Sequence, residues 1–204
     1  MSSKFSMRVA ATAAVCAMAV GVLAGTASAR ILSTSSLTLR VAFSEVRITG
    51  AFSNITCQFT LEGSLHSRRS ITKVVGGLVG YVTSANLGTC AEGQATVLRE
   101  TLPWHLRYGS FVGALPNITS VSLNVVGFAL RTREIFGTCL LTSTSLEPVS
   151  LTALRETASS TFTTARLANA IRTTCGEGVN AGVTSSAGAV TVPSSATLIT
   201  VTLI

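Results

Sequence analysis

The chain offers few residues for chemistry. His66 and His105 are its two histidines and its candidate bases. A Ser-His-Glu hydrolase would need one of them beside a nucleophilic serine and an orienting glutamate, and no Gly-x-Ser-x-Gly elbow nominates that serine. His66 falls in Ser64-Leu65-His66-Ser67-Arg68-Arg69, which reads as an exposed turn. His105 falls in the densest run of the sequence, Leu102-Pro103-Trp104-His105-Leu106-Arg107-Tyr108, followed by Phe111 and by Leu115-Pro116-Asn117-Ile118-Thr119. That run has two readings. In one, Trp104, His105, Arg107 and Tyr108 form a ligand or partner surface, with His105 and Arg107 presented outward. In the other, two Leu-Pro turns frame a hairpin whose Trp and Tyr fill the core.

The cysteines point to scaffolding. Cys90-Ala91-Glu92-Gly93 and Cys175-Gly176-Glu177-Gly178 repeat one phrase, and each follows an earlier cysteine at a similar distance: 33 residues after Cys57 and 36 after Cys139. Four cysteines outside the N-terminal segment allow three pairings. The parallel spacing favours Cys57–Cys90 with Cys139–Cys175, each closing a loop that the chain-entropy relation values at about 4 kcal/mol. No Cys-x-x-Cys or His-x-x-x-His spacing exists, so no zinc site is expected, and no other metal or cofactor. Glu92 and Glu177 are either paired carboxylates or parts of a turn in which Gly93 and Gly178 supply positive φ. The chain contains no aspartate; all eight acids are glutamate. That removes Asp-rich calcium loops and paired-aspartate protease chemistry.

The elements that must position these residues are strands. Leu37, Leu39, Val41 and Phe43 share a face, and the apolar set then moves to Val46 and Ile48, a one-residue slip that a β-bulge would absorb. Ile55, Cys57, Phe59 and Leu61 alternate with Thr56, Gln58, Thr60 and Glu62, which puts Cys57 on the core side. Val74–Val82 is nearly all apolar with three glycines and reads as a strand buried on both faces, or as a helix cut short at Gly76-Gly77. Trp104, Leu106 and Tyr108 oppose His105 and Arg107; Val121, Leu123 and Val125 oppose Ser122 and Asn124; Ile199, Val201 and Leu203 close the chain on a strand. Leu151 to Ile171 is ambiguous between a short helix and a strand. About ten short strands are expected, and with them an all-β fold: an antiparallel β-sandwich of Greek-key type, or a small barrel, with two disulfides. The paired cysteine units also admit an internal duplication, with halves near 37–110 and 115–204, although little outside the repeated phrase aligns.

The first residues read as an export signal: Lys4 and Arg8, an apolar run from Val9 to Gly25, then Ala27-Ser28-Ala29 as the small-x-small cleavage pattern. The expected organisation is a cleaved signal at 1–29, taking Cys16 with it, and a single secreted β domain at 30–204. The formal charge of +7 falls by two once Lys4 and Arg8 leave. The remaining basic residues are scattered apart from Arg68-Arg69 and Arg131/Arg133, unlike the clustered cations and aromatic platforms of nucleic-acid binders, so no nucleic-acid partner is expected. Charged residues are 11% and mean hydropathy is +0.55. So apolar a domain packs a large core, hides surface in an assembly, or holds an apolar ligand. A membrane barrel would require aromatic girdles that a chain with 5% aromatic residues does not supply. Asn54-Ile55-Thr56 and Asn117-Ile118-Thr119 match the N-glycosylation pattern and also suit strand-entry turns.

The alanine-rich signal, the Cys-x-Glu-Gly phrase, and the run from Leu102 to Tyr108 through Phe111 and Leu115–Thr119 together resemble a group of short secreted proteins of actinobacteria. The similarity covers mainly residues 50–140. The group supplies no activity, so nothing functional carries over from the resemblance. The expectation is a non-enzymatic secreted or cell-envelope structural or interaction protein, meeting an envelope component, another protein or a second copy of itself. The alternative is an extracellular carrier of apolar small molecules or lipids.

Overall fold

Strict alternation of apolar and polar residues forces this chain into strands long enough to close on themselves. The computed structural model describes residues 31–50, 53–67, 71–114, 117–134, 137–155, 161–175, 181–195, 197 and 199–203. Residues 1–30, on which the export-signal reading falls, and Arg68-Arg69, Glu177 and Gly178 lie outside them. Sixteen strands follow in order: β1 (Ile31–Thr34), β2 (Thr38–Thr49), β3 (Asn54–Leu65), β4 (Ile71–Thr72), β5 (Leu78–Ala91), β6 (Gln94–Val97), β7 (Trp104–Ala114), β8 (Asn117–Val126), β9 (Ala129–Glu134), β10 (Gly137–Thr142), β11 (Val149–Arg155), β12 (Thr161–Ala168), β13 (Ala170–Thr173), β14 (Ala181–Ser185), β15 (Gly188–Thr191) and β16 (Ile199–Leu203). A single 3₁₀ turn, Arg99–Thr101, leads into β7.

Eight strands form a closed antiparallel barrel in the order β2-β3-β5-β7-β8-β11-β12-β15, with β15 pairing back onto β2. Sequential strands are neighbours around the ring, so of the two expected all-β forms the molecule takes the barrel, wound as a meander. The strands are also longer and more numerous than expected, β5 reaching 14 residues. Length is what lets β2, β3 and β5 serve two sheets. Their far ends leave the barrel and continue into a second sheet through β14, β13, β10, β9 and β6. A small annex, β4-β1-β16, attaches to β12 through β16.

The changeover on β2 is the bulge that the apolar slip foretold. The register shifts between Phe43 and Val46, leaving Ser44 and Glu45 both exposed. Below the bulge β15 pairs with Arg40–Ala42; above it β14 pairs with Val46–Thr49. Ser186, between those two strands, donates to the Glu45 carbonyl from its backbone N–H at 3.1 Å and from its hydroxyl at 3.2 Å. The carbonyl that the bulge removes from the ladder is thus satisfied. Closure of the barrel also needs Gly188: a Cβ there would lie 2.5 Å from Phe43 Cδ1 and 2.8 Å from the Ala42 carbonyl.

Leu39, Val41 and Phe43 of β2, Phe59 and Leu61 of β3, Trp104, Leu106 and Tyr108 of β7, Val125 of β8, Leu151 of β11, and Phe162, Ala165 and Leu167 of β12 are buried in the interior. Outward positions carry Arg40, Glu62, Ser64, His105, Arg107, Ser122, Asn124, Ser150, Thr152 and Arg166. This apolar-in, polar-out arrangement is the reverse of a transmembrane barrel. No helix among the described residues is long and apolar enough to cross a membrane.

Both disulfides take the expected pairing and are cross-strand rungs. Cys57 lies directly opposite Cys90 on β3 and β5, Cα atoms 4.0 Å apart. Cys139 of β10 reaches Cys175, just beyond β13, with Cα atoms 5.3 Å apart. Thr174 extends that ladder by donating its N–H to the Leu140 carbonyl. The cystines therefore staple neighbouring strands where the second sheet is built, rather than one long connection in each half. Beyond Cys90 the phrase is a turn: Glu92 (φ +63°) and Gly93 (φ +151°) carry the chain from β5 to β6, and Glu92 is exposed. A side chain at position 93 would meet Ile55 at 2.9 Å.

Two stretches differ from the sequence expectation. Val74-Val75-Gly76-Gly77 is an exposed turn, and β5 begins only at Leu78 with one face toward solvent. Gly76 at φ +78° ends any strand there. The described part of the ambiguous stretch Leu151–Ile171 is strand except at Asn169, the φ +128° break between β12 and β13, and Leu151 and Leu167 form a facing pair on β11 and β12. The described sequon asparagine Asn54 opens β3, and Asn117 opens β8.

Candidate functional site

Alternation along β7 divides the four residues of the candidate surface. Trp104 and Tyr108 point into the barrel, while His105 and Arg107 point out. The reason is period two itself: Trp104 pairs with inward Val82 and Leu106 with Gly80, which places His105 opposite outward Tyr81. Trp104 and Tyr108 therefore belong to the core and not to the surface.

The indole is anchored. Its Nε1–H donates to Thr101 Oγ1 at 2.8 Å, and that hydroxyl donates to the Leu98 carbonyl at 2.7 Å. Trp104 packs on Phe128 at 4.8 Å between ring centroids, and Phe128 meets Phe59 edge-on at 6.1 Å. Phe128 lies in the β8–β9 link, held by Ser143, whose hydroxyl donates to the Val125 carbonyl and accepts the Phe128 N–H, both at 3.0 Å.

Burial pushes the Tyr108 phenol above the ordinary tyrosine range. Because the folded state holds this proton more tightly than the unfolded chain, its contribution is complete below about pH 10 and is lost as pH rises further. Titration followed by phenolate absorbance should show a late step, above the ordinary tyrosine range, from Tyr108, together with loss of the β-sheet circular dichroism. Tyr108→Phe should remove the late step. A late step that persists in that variant would assign it elsewhere.

On the outside, the fold unites what the sequence keeps apart. His66, in the bend after β3, and His105, on β7, flank Tyr81 of β5, with ring centroids 5.0 and 5.4 Å from the phenol ring. Both histidines are exposed, and Arg107 follows His105 on the same face. Arg107 Nη1 donates to the Gly76 carbonyl at 3.3 Å, while its Nε is buried without a partner. Glu62, on β3, lies 3.6 Å from Arg40 across the β2–β3 ladder. Further round the barrel, Ser122, Ser150 and Thr152 form a hydroxyl cluster, with Ser122 Oγ 2.8 Å from Ser150 Oγ and 3.2 Å from Thr152 Oγ1.

Among the described residues no group of three or more His, Cys or Glu residues gathers as for a metal ion. The arrangement is an aromatic ring between two imidazoles, with Arg107 two residues along from His105. Sequence reasoning missed Tyr81 because its two partners come from other segments, the bend after β3 and strand β7. The signal was present only as the period-two parity of Ser64, Tyr81 and His105.

No family model, curated protein or solved structure matches the chain. Fold and site together define a disulfide-stapled, closed antiparallel barrel with a polar exterior that bears an outward imidazole–phenol cluster.

Proposed function

We propose that this is a non-enzymatic secreted or cell-envelope protein that works by presenting its outer barrel face to an envelope component or another protein. The observation that carries this reading is the His66–Tyr81–His105 cluster. It places a tyrosine, two histidines and Arg107 on one exposed face, and Tyr and Arg are the residues that concentrate binding energy at interfaces. The two disulfides fit an oxidising extracellular setting and agree with the N-terminal signal pattern. The alternative, a carrier of apolar molecules, draws support from the eight-stranded closed barrel, an architecture that elsewhere holds one small ligand. Against it, Phe43, Phe59, Leu61, Trp104, Leu106, Tyr108 and Phe162 are each at most 3% exposed, whereas the walls of a ligand-sized cavity would leave area open.

The test is retention of the purified protein by isolated envelopes of the source cells in a sedimentation assay. His66→Ser/Tyr81→Ser/His105→Ser should lower the retained fraction about tenfold, as expected for loss of a central interface cluster. Native mass spectrometry runs beside it. Absence of retention, together with a lipid-sized adduct on the wild-type protein, overturns this reading in favour of the carrier.

A further inference from the structure

The largest adjacent exposed aliphatic pair in the described chain is Val74 and Val75, 66% and 75% exposed, at the turn between β4 and β5. This is not a loose loop. Gly77 N–H donates to the Val74 carbonyl, Gly76 N–H to the Tyr108 carbonyl, and Tyr108 N–H to the Gly77 carbonyl, each at 2.8 Å. Arg107 adds its bond to the Gly76 carbonyl. The turn is thus closed on itself and fixed to β7 through Gly76 and Gly77, and its valines stand exposed.

The surroundings are basic and apolar. Lys73 Nζ sits 5.1 Å above the Phe111 ring, and the next residue, Val112, is 61% exposed. The described segments 71–78, 104–114 and 117–126 contain Lys73 and Arg107 and no acid. In sequence, Arg68 and Arg69 lead into the turn.

We propose that the Val74–Val75 tip docks the protein on an anionic lipid surface. The valines enter the boundary between headgroups and acyl chains while Lys73 meets anionic headgroups, each basic residue near such a surface adding modestly to affinity. A bilayer suits this geometry better than a protein partner does. A stable protein interface asks for roughly 800 Å² of matched surface on each side, whereas a fluid headgroup layer accepts a narrow protruding tip without shape matching. Attachment is reversible and salt-sensitive. The inference goes beyond the outer-face reading above, because it rests on the Val74–Val75 tip and Lys73, joined to that face through Arg107, and names its occupant.

The experiment is co-sedimentation of the full exported chain with phosphatidylcholine vesicles, with and without phosphatidylglycerol, at low and high salt. Binding is expected only with phosphatidylglycerol and to fall as salt rises. Val74→Asp/Val75→Asp should weaken it about tenfold or more, and Lys73→Glu about fivefold. Trp104 fluorescence and circular dichroism check that each variant is folded, and Val74→Ser/Val75→Ser serves as a milder second variant. Binding that survives both valine variants, or that is equal on neutral vesicles, overturns the proposal. A concentration-dependent dimer abolished by the same variants also overturns it, by showing a second copy to be the occupant. Vesicle binding that fails while envelope retention persists removes the lipid tip and leaves the outer-face reading standing.

Discussion

Trp104→Ala should cost about 3–5 kcal/mol, the range for emptying a buried aromatic site, out of a total that for small domains is about 5–15 kcal/mol. Trp104 is fully buried, and it does three jobs at once. Its ring fills the barrel beneath β5 and β7, where Val82 faces it across the ladder. It supports Phe128, through which the barrel core reaches Phe59. Its N–H ends a short relay through Thr101 to the Leu98 carbonyl. The components can be separated. Trp104→Phe keeps most of the volume and drops the relay, so it should cost less than the alanine variant. Thr101→Ala leaves the indole N–H buried without its partner and should cost about 1–3 kcal/mol. Leu146→Ala, at the most exposed large apolar side chain among the described residues, should change stability by less than about 0.5 kcal/mol. Urea unfolding followed by circular dichroism is the measurement, since the variants at 104 lack the chain's only tryptophan. A Trp104→Ala midpoint close to that of Leu146→Ala would remove Trp104 from the centre of the core.

Much of this was legible in the residues. Alternation identified the faces of β2, β3, β7 and β8, and the slip from Phe43 to Val46 located the bulge, because burial on one face leaves no other way to absorb an extra residue. The cysteine spacing identified the pairing. Barrel closure was not legible. It depends on β15, a four-residue strand that joins β12 to β2 from far along the chain, and nothing local in Gly188-Ala189-Val190-Thr191 distinguishes a closing strand from any other short strand. The Val74–Val82 stretch misled for a related reason. Hydrophobicity marks burial only when a neighbour is available, and the turn at Gly76 carries Val74 and Val75 beyond the end of the β5 ladder. The His66–Tyr81–His105 cluster was hidden more deeply, since its distances follow from the registers of two ladders, each with its own bulge.

Removing the two disulfides should give the other large effect, and its additivity is informative. The loops between Cys57 and Cys90 and between Cys139 and Cys175 span 33 and 36 residues. They neither overlap nor nest, so each restricts the unfolded chain independently. The chain-entropy relation then gives nearly equal losses of about 4 kcal/mol for Cys57→Ala/Cys90→Ala and for Cys139→Ala/Cys175→Ala. The four-fold variant should lose about twice that, enough to leave a domain of ordinary stability close to unfolded. In the folded state the two should behave differently. Cys57–Cys90 lies on a ladder that continues to Leu65 and Gly80, so β3 and β5 remain zipped without it. Cys139–Cys175 sits beside a short ladder, Leu141 with Thr173 and Thr142 with Arg172, extended only by the bonds between Leu140 and Thr174, and there the cystine supplies a larger share of the hold. Hydrogen exchange under native conditions should therefore show β10 and β13 opening locally in the Cys139/Cys175 variant. The Cys57/Cys90 variant should show a uniform decrease set by global unfolding. Equal denaturant shifts combined with unequal local protection is the expected pattern. Local opening confined to β3 and β5 in the Cys57/Cys90 variant, with β10 and β13 unaffected in the other, would reverse the roles assigned to the two staples.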